Sequence, residues 1–454
     1  MVIKSSLKSS DLKPIFAALK RANDAFGKAR PGDSGERQPV HVVYGGAHLF
    51  KRDSASRLGA LALRSLEEYA PTPQAFSRAL HLPQGAFADT IYGRVTDKLK
   101  REPVEDFRID FEDGYGNRPD QEEDGHAAQA ASELAEGLAQ GTLPPFIGIR
   151  IKPLSEPLRA RSFRTMDIFV TALLSQGPKM LPKNFVVTLP KITRPAQVTA
   201  LAKALDMMEK RLKLPKGALK IELMVETPQS IFAEDGSVAL PKLVEAAAER
   251  CVAAHFGTYD YTALCNITAG YQSMAHPACD FAKNVMQVAL AQTGVMLSDG
   301  ATNVMPVPAH RPASGDTLSP EQLQENCAAV QRAWKLHFDH IRHSLATGFY
   351  EGWDLHPAQL PTRYGAVYSF FLQGLDAASA RLKNFVEKAA QATLVGDVFD
   401  DAATGQGLLN FFLRGLNCGA ITLEEAQATG LTREDFQSRS FLKILENRRK
   451  TAAV

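Results

Sequence analysis

Residues 185–228 read FVVTLPKITRPAQVTALAKALDMMEKRLKLPKGALKIELMVETP. Phe185–Leu189 is a short β-branched and apolar run, Pro195–Leu212 a helix-like window, and Lys220–Val225 a second strand candidate. Strand, helix and strand in that order form one unit of a parallel sheet.

The same alternation extends in both directions. Further strand candidates are Val40–Tyr44, Phe107–Phe111, Phe146–Ile151, Cys251–Phe256, Asn303–Val307 and Gly352–His356. Helix-like windows lie between them, among them Ala55–Tyr69, Gln121–Ala139, Arg164–Gln176, Leu240–Arg250, Ala282–Thr293 and Ser319–Thr347. The last opens on Ser319-Pro-Glu-Gln, an N-cap with Pro at the first helical position and a capping-box Gln. Strands alternating with helices, in eight such units, predict closure into a (β/α)8 TIM barrel. An open doubly wound sheet is the alternative, but no GxGxxG or GxxxxGK[ST] follows any strand. The expected organisation is an amphipathic helix and loop over residues 1–38, a catalytic barrel over 39–361, and a C-terminal helical extension over 362–454. That extension carries apolar helical faces in Tyr368–Ala389 and Gly407–Leu416.

Bulk properties narrow the function classes. The net charge of +2 favours neither a nucleic acid nor an anionic membrane as partner. No apolar run is long enough to span a bilayer, and the start, MVIKSSLKSSDLKPIF, has no apolar signal core. The five cysteines are widely spaced without a CxxC, which argues against a zinc ribbon or a redox pair. Free thiols fit a reducing cytoplasm, the expected location.

In such a barrel the chemistry gathers at the C-terminal ends of the strands. Those ends supply Asp110, Glu112 and Asp113, then Arg150 and Lys152, then Lys191, then Glu222 and Glu226, then Asp260. Carboxylates from neighbouring strands repel one another unless a cation lies between them, and oxygen donors suit Mg²⁺ or Mn²⁺. Arg150 is expected to hold a substrate carboxylate through its fork.

Asp-Phe-Glu-Asp-Gly114, Arg150 in its strand, Leu-Pro-Lys191, Val-Glu226-Thr-Pro and Phe-Gly-Thr-Tyr-Asp260 follow one another along the chain, with Gly352-Trp-Asp-Leu-His356-Pro-Ala-Gln359 near the eighth strand. In this order the segments resemble the citrate lyase β-subunit-like proteins, which belong with HpcH/HpaI aldolases and malate synthases in the phosphoenolpyruvate/pyruvate-barrel superfamily. The resemblance implies that Glu226 and Asp260 are metal ligands, that Glu112 and Asp113 line the metal's outer shell, and that Arg150 binds the substrate's carboxylate; Lys191, at its strand end, is a candidate substrate-binding residue or a neutralising charge inside the barrel. It also implies a Mg-dependent carbon–carbon lyase acting on a 2-oxo acid or hydroxy-acyl(-CoA) compound, and a homo-oligomer. Gly396-Asp-Val-Phe-Asp400-Asp401 resembles a segment that covers a barrel mouth, often a neighbouring subunit's, in acyl-CoA-processing members, making Asp400 the expected acid/base group, with Asp397 or Asp401 as alternatives. Where relatives carry Pro-Ala/Gly-x-x-Arg after strand one, this chain has Gly45-Gly46-Ala-His48-Leu-Phe-Lys51, a possible anion-binding turn.

Two other readings stay open: phosphoryl transfer on a phosphoenolpyruvate-like molecule, using Gly45-Gly46 and a His310/Arg311 loop, and a non-catalytic metal-binding homologue. Bland roles are expected elsewhere. Glu222 reads as a paired structural carboxylate and His356 as a structural histidine. Asp120–Asp124 reads as a solvated helix start, and His337, His340 and His343 as a solvated helix face.

Overall fold

The computed structural model describes residues 6–32, 35–176, 179–312, 317–387, 393–395, 398–400, 402–441 and 443–444. Eight parallel strands close on themselves in sequence order. They are β1 (His41–Gly46), β2 (Asp106–Asp110), β3 (Phe146–Arg150), β4 (Phe185–Leu189), β5 (Lys220–Val225), β6 (Cys251–Phe256), β7 (Met296–Ala301) and β8 (Glu351–Asp354). Closure is made where β8 returns to β1, His41 opposite Gly352 and Val43 opposite Asp354.

The helices begin with α1 (Ser9–Ala29), ahead of the barrel. Between β1 and β3 come α2 (Ser54–Tyr69), α3 (Pro73–Ala79), α4 (Ala86–Arg101) and α5 (Asp120–Gln140). Next are α6 (Arg159–Gln176), α7 (Pro195–Leu212), α8 (Pro228–Ile231) and α9 (Leu240–Ala246). The remainder of the barrel layer is α10 (Thr258–Leu264), α11 (Pro277–Leu290), α12 (Pro320–Ala346) and α13 (Leu360–Glu387). Among the described residues no helix is long and apolar enough to cross a membrane.

Alternation along each strand sorts the side chains. Phe107 and Ile109 of β2 belong to the apolar layer under the helices. Asp106, Arg108 and Asp110 take the other face, where Arg108 pairs with Asp106 and reaches Glu222 of β5, and Asp110 pairs with Arg150 of the neighbouring β3. The interior is therefore polar and stabilised by pairing. Arg108 bridges Asp106 and Glu222, and Glu222 also accepts from Thr188 at 2.6 Å and from Tyr44 at 3.2 Å. This is the structural role expected of Glu222. Its carboxyl is held well below the usual range: burial opposes ionisation, but Arg108 and His255 outweigh it.

Several expectations are corrected. The seventh strand is Met296–Ala301, not Asn303–Val307, which lies in the loop after it. The expected barrel boundary at 361 falls inside α13, which packs against α12, α4 and α2 as the barrel's eighth helix. His337 and His340 are buried: His337 stands 2.9 Å from Asp354, and His340 joins Thr302 at 2.9 Å. Glu123, in the supposedly solvated run, is fully buried and pairs with Lys152 at 2.9 Å.

The described part of the tail meets the body at the rim opposite the barrel's mouth. α13 starts at the end of β8 and runs toward the opposite rim, where Phe371 packs on Phe411 of α14 (Ala402–Asn417) with ring centroids 5.2 Å apart. Asn417 accepts from Gln38 N–H at 2.9 Å, just ahead of β1. Between α13 and α14, β9 (Thr393–Val395) and β10 (Val398–Asp400) make an antiparallel pair where a loop was expected. Asp400 ends β10; its side chain, like Asp397 and Asp401, lies outside the described residues.

Candidate functional site

The β2, β4, β5 and β6 ends converge on one acidic cluster. Phe111-Glu-Asp-Gly114 turns sharply after β2, its backbone captured by Asp110: Glu112 N–H donates to that carboxylate at 2.9 Å and Gly114 N–H at 2.7 Å. Asp110 also receives Arg150, which donates from Nε at 2.7 Å and Nη2 at 2.6 Å. One fork of the expected substrate-binding arginine is therefore engaged by Asp110. Arg150 Nη1 stands 3.1 Å from Glu112 with no hydrogen-bond partner. The guanidinium is nearly fully buried and lies 4.8 Å above the Tyr44 ring and 5.5 Å from Trp353.

Lys191 follows β4 in a left-handed conformation, φ 50°. Its backbone N–H donates to Glu226 at 2.7 Å, while its ammonium reaches Glu112, Asp113 at 3.0 Å and Asp260 at 3.7 Å. Burial alone would lower this amine's pKa, but the surrounding carboxylates raise it. Thr227 secures the neighbouring turn, capping α8 and donating to the Ile192 carbonyl.

Glu226, directly after β5, is 1% exposed. Burial, and then the charge of Asp260, push its carboxyl up to about 8. Asp260 sits in the first turn of α10 and is partly open to solvent. Between them stands Gly257, where a Cβ would approach a Glu226 oxygen to 2.6 Å. Glu112 is also raised, by burial and then by Asp113.

This donor set fits a hard dication that keeps much of its water. Two carboxylates, one buried and short of positive charge, provide oxygen ligands, and such ions accept one or two protein carboxylates. It is not a closed cage: among the described residues no group of three or more His, Cys, Asp or Glu is arranged to hold a metal. Lys191 supplies the positive charge at the cluster's centre instead.

Gly45 and Gly46 serve close packing in this structure. A Cβ on Gly46 would come within 2.4 Å of the Gly114 carbonyl, and one on Gly45 within 2.6 Å of the Phe107 ring. His48 turns to Tyr115 and His126, with centroids at 5.5 and 6.1 Å, and its pKa is lowered by burial and by Arg118. A cavity of about 260 Å³ lies beside the mouth, not over the acidic cluster. It sits between β1 and α2 and is lined by Val43, Phe50, Leu58, Phe107 and Leu360. His310 is tied to α12, its N–H donating to Asn326 at 2.7 Å and its ring to Glu325. His356 caps the turn after β8, as a structural histidine would.

Sequence reading missed Tyr44, Trp353, Tyr115 and His126. Tyr44 was assigned to β1, and its alternation with Val43 could have placed it inside the barrel. Tyr115 and His126 fall outside the strand ends and left no such signal.

Among solved structures, a citrate lyase from Burkholderia xenovorans LB400 aligns with 87% of this chain and 97% of its own, at 16% identity and TM-score 0.55. CitE from Mycobacterium tuberculosis, in complex with magnesium, acetoacetate and coenzyme A, aligns with 85% of this chain and 99% of its own, at 15% identity and TM-score 0.48. A Haloferax volcanii malate synthase aligns with 92% of this chain and 99% of its own, at 14% identity and TM-score 0.43. No curated protein matches the chain. The family model that matches covers residues 19–444, and the chain therefore belongs to the family described as a domain of unknown function, DUF6986.

Proposed function

We propose that this protein is a Mg²⁺-dependent carbon–carbon lyase of aldol or Claisen type, acting on a 2-oxo acid or a hydroxy-acyl(-CoA) compound through an enolate. The observation that carries the reading is the buried Glu226 carboxyl facing Asp260 at the end of a polar barrel, a pair whose repulsion a bound cation relieves. The citrate lyase that shares the fold agrees with this class of reaction.

Glu226 and Asp260 would hold the ion, with Mn²⁺ as the substitute. When bound, the dication acts as a Lewis acid toward developing negative charge on a substrate oxygen. Arg150, locked by Asp110 and by the Tyr44 and Trp353 rings, presents a fixed positive charge to a substrate carboxylate. Lys191, held by Glu112 and Asp113 and 3.7 Å from Asp260, would supply a second positive charge beside the substrate. Asp113 and Lys191 frame the entrance, while Gly45, Gly46 and His48 shape the rim above β1. An acid/base role for Asp400 would be exercised at a neighbouring subunit's mouth, since its own tail runs to the opposite rim.

The test is deuterium wash-in from D₂O at the methyl group of pyruvate or acetyl-CoA, followed by proton NMR. The proposal expects exchange with one of the two that needs Mg²⁺ and stops with EDTA. Exchange with neither, in protein shown to bind Mg²⁺, would contradict enolate chemistry.

A further inference from the structure

The wall of the barrel is left partly uncovered at β1. Every residue of β2, β3 and β4 is buried, but Val43, Tyr44 and Gly45 in the middle of β1 keep part of their surface. They border the cavity of about 260 Å³ between β1 and α2. Its walls are Val43, Phe50, Leu58, Phe107 and Leu360. Two further leucines on its lining, Leu49 and Leu355, are 70 and 41% exposed. Both follow strand ends, Leu49 after β1 and Leu355 after β8, so the cavity opens on the side of the barrel's mouth.

The polar side chains around the cavity are already engaged. Ser54 Oγ accepts from Lys51 N–H at 2.9 Å, and Arg57 donates to Asp53 at 2.8 Å. His356 accepts from Ala358 N–H at 3.2 Å, and Tyr44 turns its hydroxyl to Glu222 at 3.2 Å. A phosphate or the edge of a nucleobase would lose water there and find few partners, which is costly. Hydrocarbon carries no such cost, and each methylene moved out of water is favourable. An apolar cavity of about 150 Å³ takes up a benzene ring, so this larger one holds a chain or ring of about six carbons.

Tyr44 joins the cavity to the charged site. It lines the cavity, and its ring carries the Arg150 guanidinium at 4.8 Å. A molecule whose carboxylate meets Arg150 thus has the cavity one aromatic ring away. We propose that the cavity binds the apolar substituent of the substrate, so that the protein selects 2-oxo acids bearing an alkyl or aryl group of about six carbons over pyruvate. This rests on the reading of the mouth as a 2-oxo-acid site; the cavity decides which member of that class is held.

Isothermal titration of the full chain compares pyruvate, 2-oxobutanoate, 2-oxohexanoate and 2-oxooctanoate, in Mg²⁺ and in EDTA. Affinity is expected to rise about threefold or more for each added methylene until the cavity is full. Leu58→Trp, which fills the cavity, should abolish the rise and leave pyruvate binding unchanged. Leu355→Asp makes the same test from an exposed position where folding is not at stake. It should weaken 2-oxooctanoate by about tenfold and pyruvate not at all. Pyruvate and 2-oxooctanoate bound alike, neither of them bound, a rise that survives both substitutions, or displacement of 2-oxooctanoate by ADP would each overturn the proposal. The two readings fail separately. Mg²⁺-dependent binding of pyruvate with no effect of chain length removes the cavity's role and leaves the metal site. A chain-length effect with affinities identical in Mg²⁺ and EDTA upholds the cavity and counts against the metal.

Discussion

Arg150 meets Asp110 side-on within the barrel, Nε donating to one carboxylate oxygen at 2.7 Å and Nη2 to the other at 2.6 Å. Asp110 in turn holds the Glu112–Gly114 turn by its backbone. One arginine thereby connects the wall of the barrel to the acidic cluster at its mouth. Arg150→Lys keeps the charge and loses the fork. We expect kcat/KM, once a substrate is in hand, to fall by the equivalent of about 2–4 kcal/mol. Near-wild-type kinetics with only a lowered urea midpoint would leave Arg150 a purely structural partner of Asp110.

Lys191 should behave as the cluster's internal counterion. Lys191→Met leaves Glu112, Asp113 and Asp260 without their ammonium. In EDTA the variant is expected to be less stable by about 1–3 kcal/mol, and Mg²⁺ should restore more stability to it than to the wild type. Thermal denaturation in EDTA and in Mg²⁺ measures both effects. Equal Mg²⁺ responses would show that the ammonium and the ion do not share a site.

His340 predicts an acid-sensitive window. Burial, and then the charge of His337, lower its pKa to about 4, below the ordinary 6.5. The folded state therefore favours the neutral ring. Its contribution is fully present above pH 6.5 and is lost as the pH falls toward 4, on the order of 3 kcal/mol in all. Urea denaturation between pH 7 and pH 4 should show a shallower decline for His340→Gln than for the wild type. Parallel declines would remove His340 as the cause.

The charged barrel interior makes a stability prediction of its own. Arg108 is buried between Asp106 and Glu222. Arg108→Met strands two carboxylates, and the expected loss is about 3–5 kcal/mol, read from chemical denaturation. A loss within experimental error would mean that Glu222 is satisfied by Tyr44, Thr188 and His255 without it.

The barrel was legible because its strands are short runs between helix-length windows, and the strand-end carboxylates follow from that register. Where reading went astray, tertiary context had overridden local pattern. Met296-Leu-Ser-Asp-Gly-Ala301 lacks β-branched residues, yet it forms β7 by pairing with β6 and β8, and its Asp299 meets Lys283 of α11 at 2.9 Å. Asn303–Val307 has the β-branched residues, but Pro306 cannot donate to a sheet and the chain leaves the barrel there. The histidines of α12 look polar in sequence, and only the fold supplies Asp354, Thr302 and Asp280 as their partners. Gly45 and Gly46 suggested an anion-binding turn, but the approach of the Gly114 carbonyl and the Phe107 ring accounts for their lack of side chains. Glu112, Asp113, Lys191, Glu226 and Asp260 are brought together, though around an ammonium that sequence could only suggest.

Glu226 and Asp260 are proposed to form a divalent-cation site. Isothermal titration of Mg²⁺ into the wild type, Glu226→Gln and Asp260→Asn tests it without knowledge of the substrate. Both side chains lie at the mouth rather than in the apolar layer, so the variants are expected to fold, with circular dichroism as the check. Saturable binding by the wild type is expected, falling at least about tenfold in each variant, a loss of about 1.4 kcal/mol or more. Absence of Mg²⁺ binding by the wild type, or equal affinity in all three proteins, would contradict it.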